Sequence, residues 1–334
     1  MEKKGLIIDA HAHILPREAT EKAGVGDGYD YSATLGKRGI AYRGAMDFCF
    51  TVGLMDEAGV DMAVVHMASW TALGLEVCRL MNNGCARAEK EYPGRFIGCA
   101  HIPLDGRQET LDELHRAVLE LGLKGVCLLT STAKMTLDSS ELFPLYEKIA
   151  QLNIPVVLHP TIRHPLWGGE KYGMSSHISR EYDVIKATVE VLFGVLKIFP
   201  NLKFLIPHHG GGIPSLKGRI MAWFEPEGWE GPEALKNQPK TPRELKEMDI
   251  DRVFEGLFGK LYFDTAGFGG WMPITESATK VIRVDRLCFG TDYPFEIHEA
   301  RDIKAFIDAI KQLDLSESDK RLILGENIKD LFKI

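Results

Sequence analysis

The sequence predicts an α/β protein built as a (β/α)8 TIM barrel, and three observations carry that expectation. Eight short apolar runs alternate with longer amphipathic stretches along 334 residues, a length that suits one barrel domain with loop insertions. The runs are nearly continuous in apolar character, as parallel strands covered on both faces must be. Histidines and an aspartate sit at the C-terminal ends of several runs, the end at which this fold concentrates its functional side chains.

The first expected strand is Leu6–Ala10, and the second, Asp61–Met67, follows the turn-like Glu57-Ala58-Gly59. Arg95–Ile102, Gly125–Leu129 and Pro155–His159 read as the third, fourth and fifth, and Leu202–Pro207, Lys260–Asp264 and Arg286–Gly290 as the last three. Helices are expected between them. In Glu109–Leu121, Leu111, Leu114, Val118 and Leu121 recur at helical spacing, and Leu142, Leu145, Ile149 and Leu152 repeat the pattern in Ser140–Leu152. Tyr182–Phe199, Asp302–Leu313 and Glu317–Phe332 behave alike. An open doubly wound sheet would share this alternation, but no G-x-G-x-x-G follows the first strand, which favours the closed barrel. Two stretches break the pattern: Pro16–Phe48, rich in glycine and polar residues, and Glu225–Asp251, which carries four prolines among charges. Both are expected as insertions at strand–helix junctions, serving as a lid or a subunit contact.

Composition narrows the function. A net charge of −7 with no basic run argues against a nucleic-acid or membrane partner. None of the six cysteines forms a C-x-x-C pair, and Cys99, Cys127 and Cys288 lie inside strand-like runs, as small buried thiols in a reducing compartment do. The apolar run after Gly5 is too short for a secretory signal, and no stretch approaches the ~20 apolar residues of a membrane span. A cytoplasmic protein is expected.

The chemistry collects at strand ends. His11 and His13 lie just past the first strand in Asp9-Ala10-His11-Ala12-His13, two residues apart and so on one side of an extended chain. His159 closes the fifth strand, His208 and His209 the sixth, and Asp292 the eighth. In a closed barrel His11, His13, His159 and Asp292 converge, and three imidazoles with one carboxylate suit a single divalent ion, best Zn²⁺, with Fe²⁺, Co²⁺ or Mn²⁺ as alternatives. Two-metal barrels of this layout bridge their ions with a modified lysine on strand four; Gly125–Thr130 has none. His209 opens His209-Gly210-Gly211-Gly212 and is the expected general acid/base, in preference to His208. His66, His101 and His115 read as structural or surface residues.

At these residues the sequence resembles the amidohydrolase superfamily, metal-dependent hydrolases in a barrel (amidohydrolase-related family 2). More narrowly it resembles the branch containing α-amino-β-carboxymuconate-ε-semialdehyde decarboxylase. The resemblance runs over nearly the whole chain, through Asp9–Pro16, Arg95–Pro103, Leu137–Pro160, Pro200–Pro214, Phe289–Phe295 and Ile323–Phe332. It implies the same ligands, His11, His13, His159 and Asp292, and the same acid/base, His209. It also implies arginines for substrate carboxylates: Arg219 is similar in placement to one that reaches a neighbouring subunit's site, and Arg43 faintly resembles another. The branch often has His-Pro-Trp after strand five, where this chain has His159-Pro160-Thr161, so a different substrate pocket is implied. Hydroxybenzoate decarboxylases of the family tend to carry Glu at the first position of the H-x-H pair, where this chain keeps His11.

The resemblance therefore implies a non-oxidative decarboxylase, a carboxy-lyase, of an unsaturated or aromatic carboxylic acid, working as a homodimer. Asp292 would ligate the metal and shuttle a proton, and Trp167, Trp271 and Phe295 would stack on the substrate. The same residues serve a hydrolase or hydratase of a lactone, diketone or related carbonyl compound equally well.

Overall fold

The computed structural model describes residues 5–24, 45–132, 134–161, 172, 174, 178–226 and 228–334. Eight parallel strands stand in sequential order, β1 (Ile8–Ala12), β2 (Met62–Val65), β3 (Phe96–His101), β4 (Gly125–Leu129), β5 (Val156–His159), β6 (Phe204–Ile206), β7 (Tyr262–Asp264) and β8 (Leu287–Cys288). The ring closes by backbone hydrogen bonds between its first strand and the segment just beyond its last: Ala10 N–H donates to Phe289 O at 2.7 Å, Asp292 N–H to His11 O at 2.9 Å and His13 N–H to Tyr293 O at 2.8 Å. This is the (β/α)8 barrel that the sequence predicts.

Every strand residue except Met62 is buried, which explains the continuous apolar runs. Alternate residues fill two cores. Ile8, Ala10, Val64, Cys99, Cys127, Val157, Leu205, Tyr262 and Cys288 pack together within the barrel, plugged from one end by Ile328, Leu331 and Phe332. Their neighbours, among them Ala63, Phe96, Val126, Leu128, Val156, Phe204 and Phe263, pack in the larger core that takes in the helices. The cysteines expected to be buried thiols are so, and burial pushes the thiols of Cys99, Cys127 and Cys288 well up.

Among the described residues the main helices, in chain order, are α1 (Arg17–Lys22), α2 (Phe48–Ala58), α3 (Leu75–Glu91), α4 (Gln108–Leu119), α5 (Phe143–Leu152), α6 (Ile178–Glu190), α7 (His208–Ala222), α8 (Pro242–Glu247), α9 (Ile250–Phe258), α10 (Met272–Val281), α11 (Ala300–Lys311), α12 (Glu317–Arg321) and α13 (Asn327–Phe332). Local chemistry sets their ends. Asp47 caps α2 by accepting Phe50 N–H at 2.9 Å, and Gly59 ends it at φ 80°, a left-handed residue that costs glycine little. No helix among the described residues is long and apolar enough to cross a membrane.

The second insertion differs from expectation. Of the first, residues 25–44 lie outside the described residues. The second, Glu225–Asp251, follows α7 and leads through α9 into β7, so it is a helix-to-strand connection and not a strand-to-helix junction. That places it at the strand N-terminal end of the barrel, away from the ends that carry the histidines. It is well anchored: Lys240 is buried, its ammonium 2.6 Å from Glu225 Oε1 and 4.8 Å over the Trp229 ring.

Candidate metal centre

The strand ends deliver their side chains by parity. Val64, Cys99, Val157 and Tyr262 face the barrel interior, so the residue two further along each chain faces the same way. These are His66, His101, His159 and Asp264, and all four are buried. β1 alone breaks parity. Ile8 and Ala10 point inward, yet so do His11 and His13, because the β1–β2 register shifts between Asp9 and Ala12. Such a bulge re-aims a side chain, and here it aims two.

The imidazoles meet in one cluster. The His11 ring lies 5.0 Å from those of His13 and His66 and 5.6 Å from His159 and His208. His13 and His159 are 5.2 Å apart. Asp292, at φ 54°, brings its carboxylate among them, with Oδ1 2.8 Å from His13 Nε2 and 3.8 Å from His11 Nε2. Its other oxygen, Oδ2, lies 3.8 Å from His208 Nε2. Two subsets, His11–His13–His66 and His11–His208–Asp292, bring their donor atoms within 4.8 Å of one another.

Outer partners fix which nitrogen faces inward. Nδ1–H donates from His11 to Asp264 Oδ2 at 2.9 Å, from His13 to the His66 carbonyl at 2.7 Å and from His159 to the Pro160 carbonyl at 3.0 Å. That of His208 donates to Glu181 Oε1 at 2.8 Å. Each ring therefore turns Nε2 inward, the arrangement by which metal-binding histidines are oriented. Asp264 is itself held, accepting the His208 and Ala266 backbone N–H groups at 2.9 and 3.0 Å.

These residues fit a divalent ion on their own chemistry. His11 Nε2, both ring nitrogens of His66, His208 Nε2 and Asp292 Oδ2 are buried without a hydrogen-bond partner. Orphaned polar atoms are costly singly and are not gathered by chance. The His13–Asp292 contact points the same way. A carbonyl can only accept, so His13 must donate from Nδ1, and its neutral ring then turns a lone pair to a carboxylate oxygen. Burial lowers the His13 pKa and outweighs the hydrogen bond to Asp292, so the ring favours its neutral form. Burial opposes charge on Asp292 too, but the imidazoles around it, His11 and His208 among them, hold its carboxyl below the usual range. Two facing acceptors call for a cation. His159 and His66 are lowered well below the ordinary imidazole value, by burial first and neighbouring rings second, which keeps their lone pairs available.

The sixth strand places its two histidines differently from expectation. After β6 five consecutive residues, His208 to Gly212, take positive φ, from 51° to 97°. A left-handed turn sends successive side chains in different directions. His208 enters the cluster. His209, expected as the acid/base, points elsewhere: its Nε2 lies 3.1 Å from Thr275 Oγ1 and its ring 5.5 Å from Phe268. Burial lowers the His209 pKa to about 3, so it is a neutral core residue. The glycines allow the turn to pack. A Cβ on Gly211 would stand 2.3 Å from the Glu181 carbonyl oxygen, and one on Gly267 2.4 Å from the His208 ring.

Of the expected substrate residues, Phe295 is beside the cluster, its ring 5.2 Å from that of His13. Trp271 is 66% exposed at the start of α10, and Arg219 is exposed on α7, so neither stands as a pocket residue within the chain. Arg43 and Trp167 lie outside the described residues. Four side chains at the site have no expected role, Asp264 among them, although it closes the seventh apolar run. His66 had been read as structural or surface, although parity with Val64 was available to find it. Glu181 and Arg180 open α6, and no strand-end pattern marks them. Arg180 Nη2 is 3.8 Å from Asp292 Oδ2. His101 does serve structure, accepting Met67 N–H at 2.8 Å, and His115 is exposed.

A sequentially ordered barrel with imidazoles at the ends of β1, β2 and β5, just past β6, and an aspartate beyond β8 defines a class, and the family model confirms it: the chain belongs to the amidohydrolase family, matched over residues 8–334. It is 28% identical to 2-amino-3-carboxymuconate-6-semialdehyde decarboxylase of Dictyostelium discoideum, over 97% of this chain and 90% of that one. It is 26% identical to a gamma-resorcylate decarboxylase of a Polaromonas species, over 85% and 86%. It is 24% identical to a 2-keto-4-carboxy-3-hexenedioate hydratase of a Sphingobium species, over 84% and 80%. Among solved structures, 5-carboxyvanillate decarboxylase of Novosphingobium aromaticivorans, complexed with manganese and 4-hydroxy-3-methoxy-5-nitrobenzoic acid, superposes with a TM-score of 0.76 at 22% identity, covering 100% of this chain and 97% of that one.

Proposed function

We propose that the chain is a metal-dependent carboxy-lyase that removes CO2 without oxidation from an unsaturated or aromatic carboxylic acid. The observation that carries this is a ligand set with a further imidazole, His208, oriented beside it. His11, His13, His159 and Asp292 would hold a single divalent ion, leaving His208 beside them with its Nε2 lone pair turned inward and its Nδ1–H on Glu181. When bound, the ion would polarise the substrate's oxygens and draw electron density from the bond that breaks. Zn²⁺ suits the donors, and the manganese of the solved neighbour is the alternative; elemental analysis of purified protein distinguishes them.

In this reading His208 is the acid/base and His209 is not. The carbon that loses CO2 must gain a proton, and His208 Nε2 is placed to hold and deliver one. Glu181 orients the ring and, being part-exposed, links its Nδ1 to the outside. Asp292 Oδ2, 3.8 Å from His208 Nε2, is a second station for that proton. His66 and Phe295 form the wall against which a flat substrate lies, one polar and one apolar.

Hydration or hydrolysis is the second reading, favoured by the hydratase relative. There the same His208 would take a proton from attacking water. A mass-resolved screen of metal-loaded protein against unsaturated and aromatic acids, lactones and diketones decides. Loss of CO2 from any member is the expected result; gain of water with no loss of CO2 across the panel would overturn it. A homodimer is also proposed, with Arg219 at the subunit boundary, and a monomeric mass by light scattering would remove it.

A further inference from the structure

Arg180 is the one cation in the described part of the cluster. Its side chain is mostly buried, with 17% of its surface exposed, and its Nε is buried with no hydrogen-bond partner. Its recorded ionic contact is with Asp292 Oδ2, at 3.8 Å, beyond hydrogen-bond length. The helix that carries it is fixed just after the residue, at two points. Glu181 holds His208, and one turn on Asp183 takes hydrogen bonds from the Thr130 hydroxyl and, at 3.0 and 3.1 Å, from Ser131 Oγ at the end of β4. The guanidinium is thus presented to the cluster by a pinned element.

A permanently charged fork beside a divalent-ion site makes sense only if an anion joins them. Once Asp292 ligates the ion, Arg180 faces a second positive charge with its Nε–H unmet, and an oxyanion between them relieves both. That oxyanion is not the carboxylate that departs. Loss of CO2 removes the negative charge of that group, so a guanidinium bound to it stabilises the substrate more than the transition state and slows the reaction. A guanidinium on an oxygen that stays behind, a second carboxylate or a phenolate, keeps its partner throughout.

We propose that Arg180 is the substrate-recognition residue of the site, binding an acidic oxygen that is retained in the product, so that the substrate carries a second acidic group near the scissile carboxylate. This rests on the carboxy-lyase reading for which group is scissile, but the anion contact can be tested without turnover. Benzoate, salicylate and isophthalate would be titrated calorimetrically into wild-type, Arg180→Met and Arg180→Lys proteins loaded with one equivalent of metal. The wild type is expected to prefer the two-group probes, salicylate or isophthalate, over benzoate by about tenfold or more. Arg180→Met should erase that preference while keeping benzoate affinity, metal stoichiometry and thermal midpoint, and Arg180→Lys should keep part of it. Equal or absent binding of the probes by the wild type, an undiminished preference in Arg180→Met, or an equal loss for all three probes would each overturn the assignment. The two readings fail separately: a preference erased in Arg180→Met with no CO2 released from any acid sinks the carboxy-lyase, and CO2 release with an unchanged preference sinks Arg180.

Discussion

His208 and His209 are adjacent in the chain and opposite in environment. One presents an unpartnered ring nitrogen to the cluster; the other is packed against Phe268 and Thr275. His208→Asn is expected to lower kcat by at least about a hundredfold while keeping bound metal, and His209→Gln by no more than a few-fold. Steady-state rates beside metal content check both, and equal losses would return the acid/base to the pair. His209 has a separate signature. Its folded-state pKa, about 3, lies below the ordinary 6.5, so it stays neutral when folded while the unfolded chain gains a proton. Its contribution is present above about pH 6.5 and is lost as pH falls toward 3, at up to about 1.4 kcal/mol per pH unit. His209→Gln should flatten the acid side of the stability–pH curve measured by urea unfolding. The sequence shows both histidines but not which one turns inward, because strand parity ends at Ile206 and a left-handed turn takes over. His66 is the converse: parity from Val64 assigns it to the interior, but its place inside the apolar run Asp61–Met67 makes it read as a packed residue.

At the level of elements, the strands were legible because burial on both faces writes itself as unbroken apolar runs. Their ends were legible where a polar residue closes such a run, as His159 and Asp264 do. The first turn of α6 was not, because Arg180 and Glu181 reach the cluster from a helix whose approach depends on packing against another segment. That packing runs through Gly211, whose missing Cβ leaves room for the Glu181 carbonyl. Gly211→Ala adds both a contact too close to backbone and a side chain at φ 68°, and should cost about 1–3 kcal/mol in urea unfolding. Moving Glu181 from His208 should also lower kcat about tenfold with metal content unchanged; a variant as stable and active as the parent would show that α6 is not held there.

For the whole molecule, the metal should behave as part of the fold. Five imidazoles and a carboxylate drawn from five segments of chain lie buried together, and an ion at a hundred times its Kd would add about 2.7 kcal/mol to stability. Chelation should lower the thermal midpoint by several degrees, and His13→Ala should make the midpoint indifferent to chelator; calorimetry with and without chelator reads both. The barrel itself was foreseeable from alternation and length, whereas the Glu225–Asp251 excursion was put at the wrong end, because composition does not say whether a loop leaves a strand or a helix. The closure of β1 on the segment beyond β8 has a consequence for how the protein is made. His11 and His13 leave the ribosome early, but Asp292 and the carbonyls that seal the ring come only with the last portion of the chain. A chain that stops short of Asp292 holds the histidines and no finished cage. A tightly held ion is therefore a record that synthesis has passed Asp292 and that the chain has closed upon its own beginning.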